Sequence, residues 1–209
     1  MFNIESDIEN AIKHFSKLTK VKNKLAVHGE IDIIHPTVGL LDSFEVFIQF
    51  TKKYPYRFPL VKEISGKIER IPERHINGNN TICLAVRPQE VLLCRYGITL
   101  KWFIEAILIP HFAREIYYEE KNEYPFGDYS HHEDGLWEYY FEKFGTEDKE
   151  WIVKIIEKAV NNHLPNNNEA CFCGSTKKYK NCHKSQVDIL SLFERSYLKD
   201  ELAELKTKL

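Results

Sequence analysis

The sequence predicts an α+β fold: an N-terminal helix, an antiparallel β-meander and C-terminal helices, followed by a small cysteine- and histidine-bearing module. Three observations predict it. Ile4, Ile8, Ile12, Phe15 and Leu18 recur at three- and four-residue steps with polar residues between them, the pattern of an amphipathic helix. From Leu25 to Ser65 the period drops to two, through Val27, Ile31 and Ile33, then Phe44, Val46, Ile48 and Phe50, then a short run around Leu60 to Ile64. Three of the five cysteines crowd between Cys171 and Cys182, next to His183.

The opening helix should lie on the sheet. Turn chemistry at His35-Pro36 and at Leu41-Asp42-Ser43 separates the strand runs, and their short spacing favours antiparallel neighbours. The meander ends at Tyr54-Pro55-Tyr56-Arg57-Phe58-Pro59. A turn-rich loop, Glu73-Arg74-His75-Ile76-Asn77-Gly78-Asn79-Asn80, then delivers the chain into Thr81-Ile82-Cys83-Leu84. Thr99 to Tyr118 is the longest helical pattern and should bend at Pro110, which lacks a backbone donor. A polar aromatic loop spans Glu123 to Gly135. Helices follow from about Leu136 to Phe144 and from Lys149 to Asn162.

The expected organisation is a main domain over 1–162, a polar linker over 163–168, a metal motif over 169–185 and an amphipathic helix over 186–209. A chain of 209 residues, 43% of them apolar, has material for one substantial core and a small appendage. Acidic Glu5 and Asp7 stand where a secretory leader needs positive charge, so export is not expected. Ile98 to Phe112 is interrupted by Lys101, Glu105 and Pro110 and is too short to cross a bilayer. A net charge of −2 gives no electrostatic reason for a nucleic-acid partner. Clustered cysteines beside a histidine suit reduced thiols with assigned chemistry, and hence the cytoplasm.

Cys171-x-Cys173, eight residues, then Cys182-His183 supplies three thiolates and one imidazole, the donor set that closes a tetrahedral zinc shell and leaves no position for a substrate. Gly174-Ser175 gives the backbone freedom to turn around the ion. So small a segment has little apolar surface of its own, and the metal would supply its folding free energy. These residues, with Lys178-Tyr179-Lys180, resemble the SEC-C motif, known at the C-terminus of the bacterial preprotein translocase motor. The resemblance implies a docking element. Lys177, Lys178, Lys180 and Lys184 would offer a basic face to an acidic partner, or otherwise serve ordinary solvation.

Cys83 follows a polar Asn/Gly loop, and His75 precedes it by eight residues in the same loop, so folding of the loop can bring an imidazole toward the sulfur. The plain alternative is a cysteine that only packs. Cys94, within Val91-Leu92-Leu93-Cys94, has an apolar setting that raises a thiol pKa, and packing is expected there.

The order of these pieces resembles the ubiquitin-conjugating enzyme superfamily: helix, meander, Tyr54-Pro55-x-x-x-Pro59, a His/Asn loop, Ile82-Cys83-Leu84, then a helix introduced by Ile98-Thr99-Leu100. The bacterial branch is the closer likeness, through Ile109-Pro110 and Tyr124-Pro125-x-Gly127-x-x-Ser130-His131. The resemblance implies a ubiquitin-conjugating-enzyme-like fold. It also implies that Cys83 accepts the C-terminus of another protein as a thioester from an activating enzyme and passes it to an amine. Asn77, with Asn79 and Asn80 behind it, would steady the oxyanion. His75 would orient the loop or adjust the thiol, and His131 would stand near the active face. The family's His-Pro-Asn appears here as His75-Ile76-Asn77, without the proline and with a shorter loop to the cysteine. His131, His132 and Glu133 make a poor metal set, with no clear fourth ligand.

The functional expectation is a bacterial ubiquitin-conjugating-like transferase with a zinc docking tail, acting in anti-phage (CBASS-type) signalling. Its client would be a ubiquitin-like protein or the C-terminus of a nucleotide cyclase. The alternatives are an inactive adaptor of the same fold and a zinc-tailed nucleic-acid binder. Ile189, Leu190, Phe193, Tyr197, Leu198, Leu202, Leu205 and Leu209 extend the helical period, and that face packs within the chain, on a second copy as a homodimer through 186–209, or on a target protein.

Overall fold

Asn3 starts the first helix, α1 (Ile4–His14), by accepting hydrogen bonds from the Glu5 and Ser6 amides at its Oδ1, at 3.0 and 3.1 Å. The computed structural model describes residues 2–125, 129, 130 and 132–209. It divides into two compact units, Met1–His131 and His132–Leu209.

In the first unit, α1 stops four residues short of Leu18, which opens strand β1 (Leu18–Lys20) instead of closing the helix. Gly29 makes this possible. Its φ is 148°, and a Cβ there would lie 2.0 Å from the Lys17 carbonyl oxygen, so only a glycine lets β1 close on β2 (Ala26–His35). Strands β3 (Gly39–Gln49) and β4 (Leu60–Glu63) complete an antiparallel sheet in the order β1-β2-β3-β4.

The expected alternation is present. Val27 faces Ile48, and Ile31 faces Phe44, with all four side chains buried. The expected turn at Leu41-Asp42-Ser43 is absent: the chain reverses between His35 and Gly39, and 41–43 continue β3. Asp42 and Ser43 act there as strand residues whose side chains have tertiary partners. Asp42 pairs with Lys67, and the Ser43 hydroxyl donates to Asp32.

Helices cover one face of this sheet. After α2 (Arg87–Cys94), Thr99 caps α3 (Leu100–Phe103), which runs through a π-helical turn at Ile104–Leu108 into α4 (Ile109–Lys121). The bend expected at Pro110 is thus a widened turn, in which the Ile109 amide reaches back five residues to the Ile104 carbonyl. Phe112 stacks on Phe44 at 4.4 Å, joining α4 to β3 within a core that also takes Ile8 from α1 and Leu100, Phe103 and Leu108. Asp7 ties α1 to α3 by accepting the Tyr54 hydroxyl at 2.5 Å and the Leu100 amide at 3.0 Å. Burial, then that bond, raises the Tyr54 pKa far above its ordinary value.

The second unit contains α5 (His132–Phe144), α6 (Lys149–Val160), α7 (Lys184–Val187) and α8 (Arg195–Lys206). Thus α5 and α6, expected with the main domain over 1–162, cluster with the metal segment. The reason is apolar: α6 buries Ile152, Val153, Ile155, Ile156 and Val160, and packs on α8, whose Leu198, Leu202 and Leu205 are buried. That accounts within the chain for the face on 186–209 considered for a homodimer.

The single helix expected over 186–209 is broken. A 3₁₀ segment, Asp188–Leu192, ends at Phe193 in extended conformation, so that Leu190 and Phe193 are both buried before α8 begins. Nor is 163–168 a free linker. Asn166 bonds to Glu169 through both its amides, and the Lys180 amide donates to the Asn167 carbonyl at 3.1 Å. No helix among the described residues is long and apolar enough to cross a membrane.

Candidate functional site

The second unit carries a four-ligand cluster. The Ala170–Lys178 bridge and the Cys171 amide bond to the Lys177 carbonyl, at 3.0 Å, close a short hairpin on which Gly174 takes φ 78°. A 3₁₀ turn over Tyr179–Asn181 then returns Cys182 and His183 to the first two cysteines. All four ligand atoms lie within 4.8 Å of one another.

Cys173 Sγ and Cys182 Sγ are 3.7 Å apart, while His183 Nδ1 is 3.2 Å from Cys171 Sγ and 3.3 Å from Cys182 Sγ. A tetrahedral ion with metal–sulfur bonds near 2.3 Å separates its thiolates by about 3.8 Å, close to the Cys173–Cys182 spacing, so the donor set and its convergence fit a metal. Cys173 Sγ and Ser175 Oγ are hydrogen-bonded at 3.1 Å, and the side-chain and backbone bonds with Ser175 pull that thiol down to about 6. Burial pushes the Cys171 thiol up. An aromatic wall completes the knuckle: His183 lies 5.3 Å from Trp151 of α6 and 5.5 Å from Phe172. Of the basic face, Lys177, Lys178 and Lys180 are exposed, whereas Lys184 is paired with Asp188 at 2.5 Å.

The first unit carries the other candidate. Between Ile76 and Ile82 the loop closes as a small bridge, with the Asn77 amide on the Thr81 carbonyl at 2.8 Å. His75 and Cys83 flank that bridge, and the Cys83 amide donates to the His75 carbonyl at 2.7 Å. The Ile82 amide donates to Val61 at 2.8 Å, which anchors the cysteine loop to β4. Cys83 and His75, eight residues apart in sequence, therefore line one cavity of about 300 Å³.

The opposite wall comes from residues that were not among the expected site residues. Ala106 and Ile107 of the π-helical turn, and Pro110, His111 and Arg114 of α4, line it, with Gln89, Tyr129 and Ser130. The signal available in sequence was the four-residue spacing of His111 and Glu115 beside a helix-interior proline. Their Nε2 and Oε1 atoms lie 4.0 Å apart. Glu115 is 1% exposed and accepts Arg74 Nε and Nη2 at 3.0 and 2.6 Å, and the Tyr124 hydroxyl at 2.8 Å. Burial and then this bond keep the Tyr124 hydroxyl protonated well beyond its usual range.

The expected asparagines are not on the cavity. Asn77 Nδ2 donates to Thr81 Oγ1 at 3.1 Å, Asn79 Oδ1 accepts the Thr81 amide and hydroxyl at 3.0 and 2.6 Å, and Asn80 turns the chain at φ 63°. These side chains are used instead to build the turn between Ile76 and Ile82. His131 lies outside the described residues. Cys94 is fully buried, and burial pushes its thiol up to about 12.

Comparison with known families finds one match: the SEC-C motif, over residues 168–185. The metal-ligand cluster and this motif coincide, so a SEC-C-type metal-binding motif occupies the second unit. No curated protein and no solved structure matches the chain.

Proposed function

We propose that the protein is a ubiquitin-conjugating-like cysteine transferase whose tail is a zinc docking module. The observation that carries this reading is the placement of Cys83, half-buried on the wall of a cavity it shares with His75 and His111. The order of helix, four-stranded meander, Tyr54–Pro59 segment, cysteine loop and long helix supports the same reading through the resemblance of the sequence to that superfamily.

In this chemistry the Cys83 thiol gives up its proton and attacks the carbonyl carbon of a thioester on an activating enzyme. The new S–C bond forms, the old one breaks, and the departing thiolate takes up a proton. An amine then attacks the Cys83 thioester, a C–N bond forms, and the Cys83 thiol is regenerated. His75 and His111 are the groups on the cavity suited to move these protons. The acyl donor would be a ubiquitin-like protein or a nucleotide-cyclase C-terminus, in CBASS-type anti-phage signalling. Three thiolates and one imidazole suit zinc, held by Cys171, Cys173, Cys182 and His183 with no open position, so the ion folds the tail. Exposed Lys177, Lys178 and Lys180 would meet an acidic partner.

One observation favours a second reading, an inactive adaptor of the same fold: the Asn77 amide is committed to Thr81. Mass spectrometry of the protein co-produced with its genomic neighbours separates the two. A reductant-sensitive adduct on Cys83, lost in Cys83→Ala, is expected of the transferase. A Cys83 that stays free while an activating enzyme charges its own cysteine would leave the adaptor.

A further inference from the structure

Glu115 takes no part in the chemistry proposed for Cys83, yet three hydrogen bonds converge on its buried carboxylate. The donors come from outside α4: Arg74 Nε and Nη2 from the turn Pro72–Arg74, and the Tyr124 hydroxyl from the segment after the helix. A buried ion pair adds little net stability, because desolvation of the two charges offsets their attraction. Its directional bonds fix geometry instead, and both partners of Glu115 lead to His75.

One route runs through the backbone. Arg74 precedes His75, which holds φ 55° and ψ 31°, the left-handed conformation that favours glycine and strains a residue with a Cβ. The His75 amide donates back to the Pro72 carbonyl at 2.8 Å, and the Ile76 amide to the Ile71 carbonyl at 3.3 Å, closing the turn that carries Arg74. In that conformation the His75 carbonyl accepts the Cys83 amide at 2.7 Å. The other route runs through a ring. Tyr124, pinned at its hydroxyl by Glu115, stands edge-on to the His75 imidazole with the centroids 5.4 Å apart.

We infer that Glu115 is a positioning residue for the Cys83 site: its carboxylate holds Arg74 and Tyr124, and through them both the His75 backbone that seats Cys83 and the His75 ring beside it. The inference rests on the reading of Cys83 as the reactive group and of His75 as a proton carrier. Glu119, the other carboxylate on Arg74, is 59% exposed at its side chain and has no such role.

The double variant Arg74→Met/Glu115→Met tests this, because it removes both buried charges together and leaves apolar volume in their place. Its unfolding midpoint and its exchange protection at Ile31 and Ile48 should stay near those of the wild type, while the Cys83 amide loses protection. Iodoacetamide then reports on the thiol: a C–S bond forms at Cys83, iodide leaves and the thiol proton passes to buffer, with the rate followed by peptide mapping. That rate should fall about tenfold in the double variant, as expected when a reacting group is displaced from its partner. Tyr124→Phe keeps the ring and loses the hydroxyl, so it should slow alkylation by a smaller factor, and it decides the question if the double variant does not fold. Glu119→Gln should change neither the rate nor the Cys83 amide.

An unchanged rate in the folded double variant, or in Tyr124→Phe where that variant decides, overturns the inference. A faster rate overturns it too, since a clamp that merely covers the thiol exposes it on removal. A thioester formed as fast by the folded double variant as by the wild type would reject the positioning role alone. Slowed alkylation in the variants, with no wild-type thioester beside a charged activating enzyme, would reject the transferase and leave the positioning role standing.

Discussion

The two units solve opposite problems with cysteine. In the first, a core of sheet and helices, built on residues such as Ile8, Ile31, Ile48, Leu100 and Phe112, exists before any cysteine chemistry and holds Cys83 on a cavity wall. In the second, residues 166–183 contribute few apolar side chains, and their cysteines and histidine converge within 4.8 Å. The difference teaches where each function can reside. A framework that stands alone can keep a thiol free to react, whereas a segment folded by its ligands has none to spare.

The contrast breaks most severely on metal removal. Apparent binding energies for structural zinc are about 10–16 kcal/mol, so Cys171→Ser or Cys182→Ser should abolish metal content and release hydrogen-exchange protection at Cys171, Tyr179 and Cys182. Protection at Ile31 and Ile48 should persist, which metal analysis and exchange mass spectrometry would show together. Next, Glu115→Ala should destabilise the first unit by about 3–5 kcal/mol in denaturant unfolding, because Arg74, 5% exposed, loses its buried partner. Ile48→Ala should cost about 2–5 kcal/mol while metal content stays unchanged. A loss of metal in either variant would join what the comparison separates.

The smallest effect is on pH. The Cys94 thiol moves from 9.0 to about 12 through burial, so above pH 9 the unfolded chain ionises first and the folded state loses stability. Between pH 9 and pH 10 the loss should be about 1 kcal/mol, and Cys94→Ala should remove that part of the slope.

The same contrast governs what the sequence made legible. Short-range patterns were readable: the three- and four-residue step of α1, the alternation in β2 and β3, and the four metal ligands, whose spacing is itself the site. What depends on tertiary placement was not. Leu18 fits the helical period of α1, but Gly29 draws it into β1. Asp42-Ser43 carries turn chemistry, but its side chains find partners in Lys67 and Asp32. His111 and Arg114 reach the Cys83 cavity from a helix that begins well after the cysteine, a proximity no local spacing encodes. The helices α5 and α6 were readable as helices, but their grouping with the second unit was not, because an apolar face does not name the surface it will cover.

The central claim, a reactive thiol in one unit and ligand thiols in the other, meets its most direct test in peptide-resolved alkylation of all five cysteines with iodoacetamide, on the folded metal-loaded protein with and without chelator. The account predicts that Cys83 reacts in both samples, that Cys94 reacts in neither, and that Cys171, Cys173 and Cys182 react only after chelation. Modification of those three at the same rate with metal present, or a Cys83 as inert as Cys94, would contradict it.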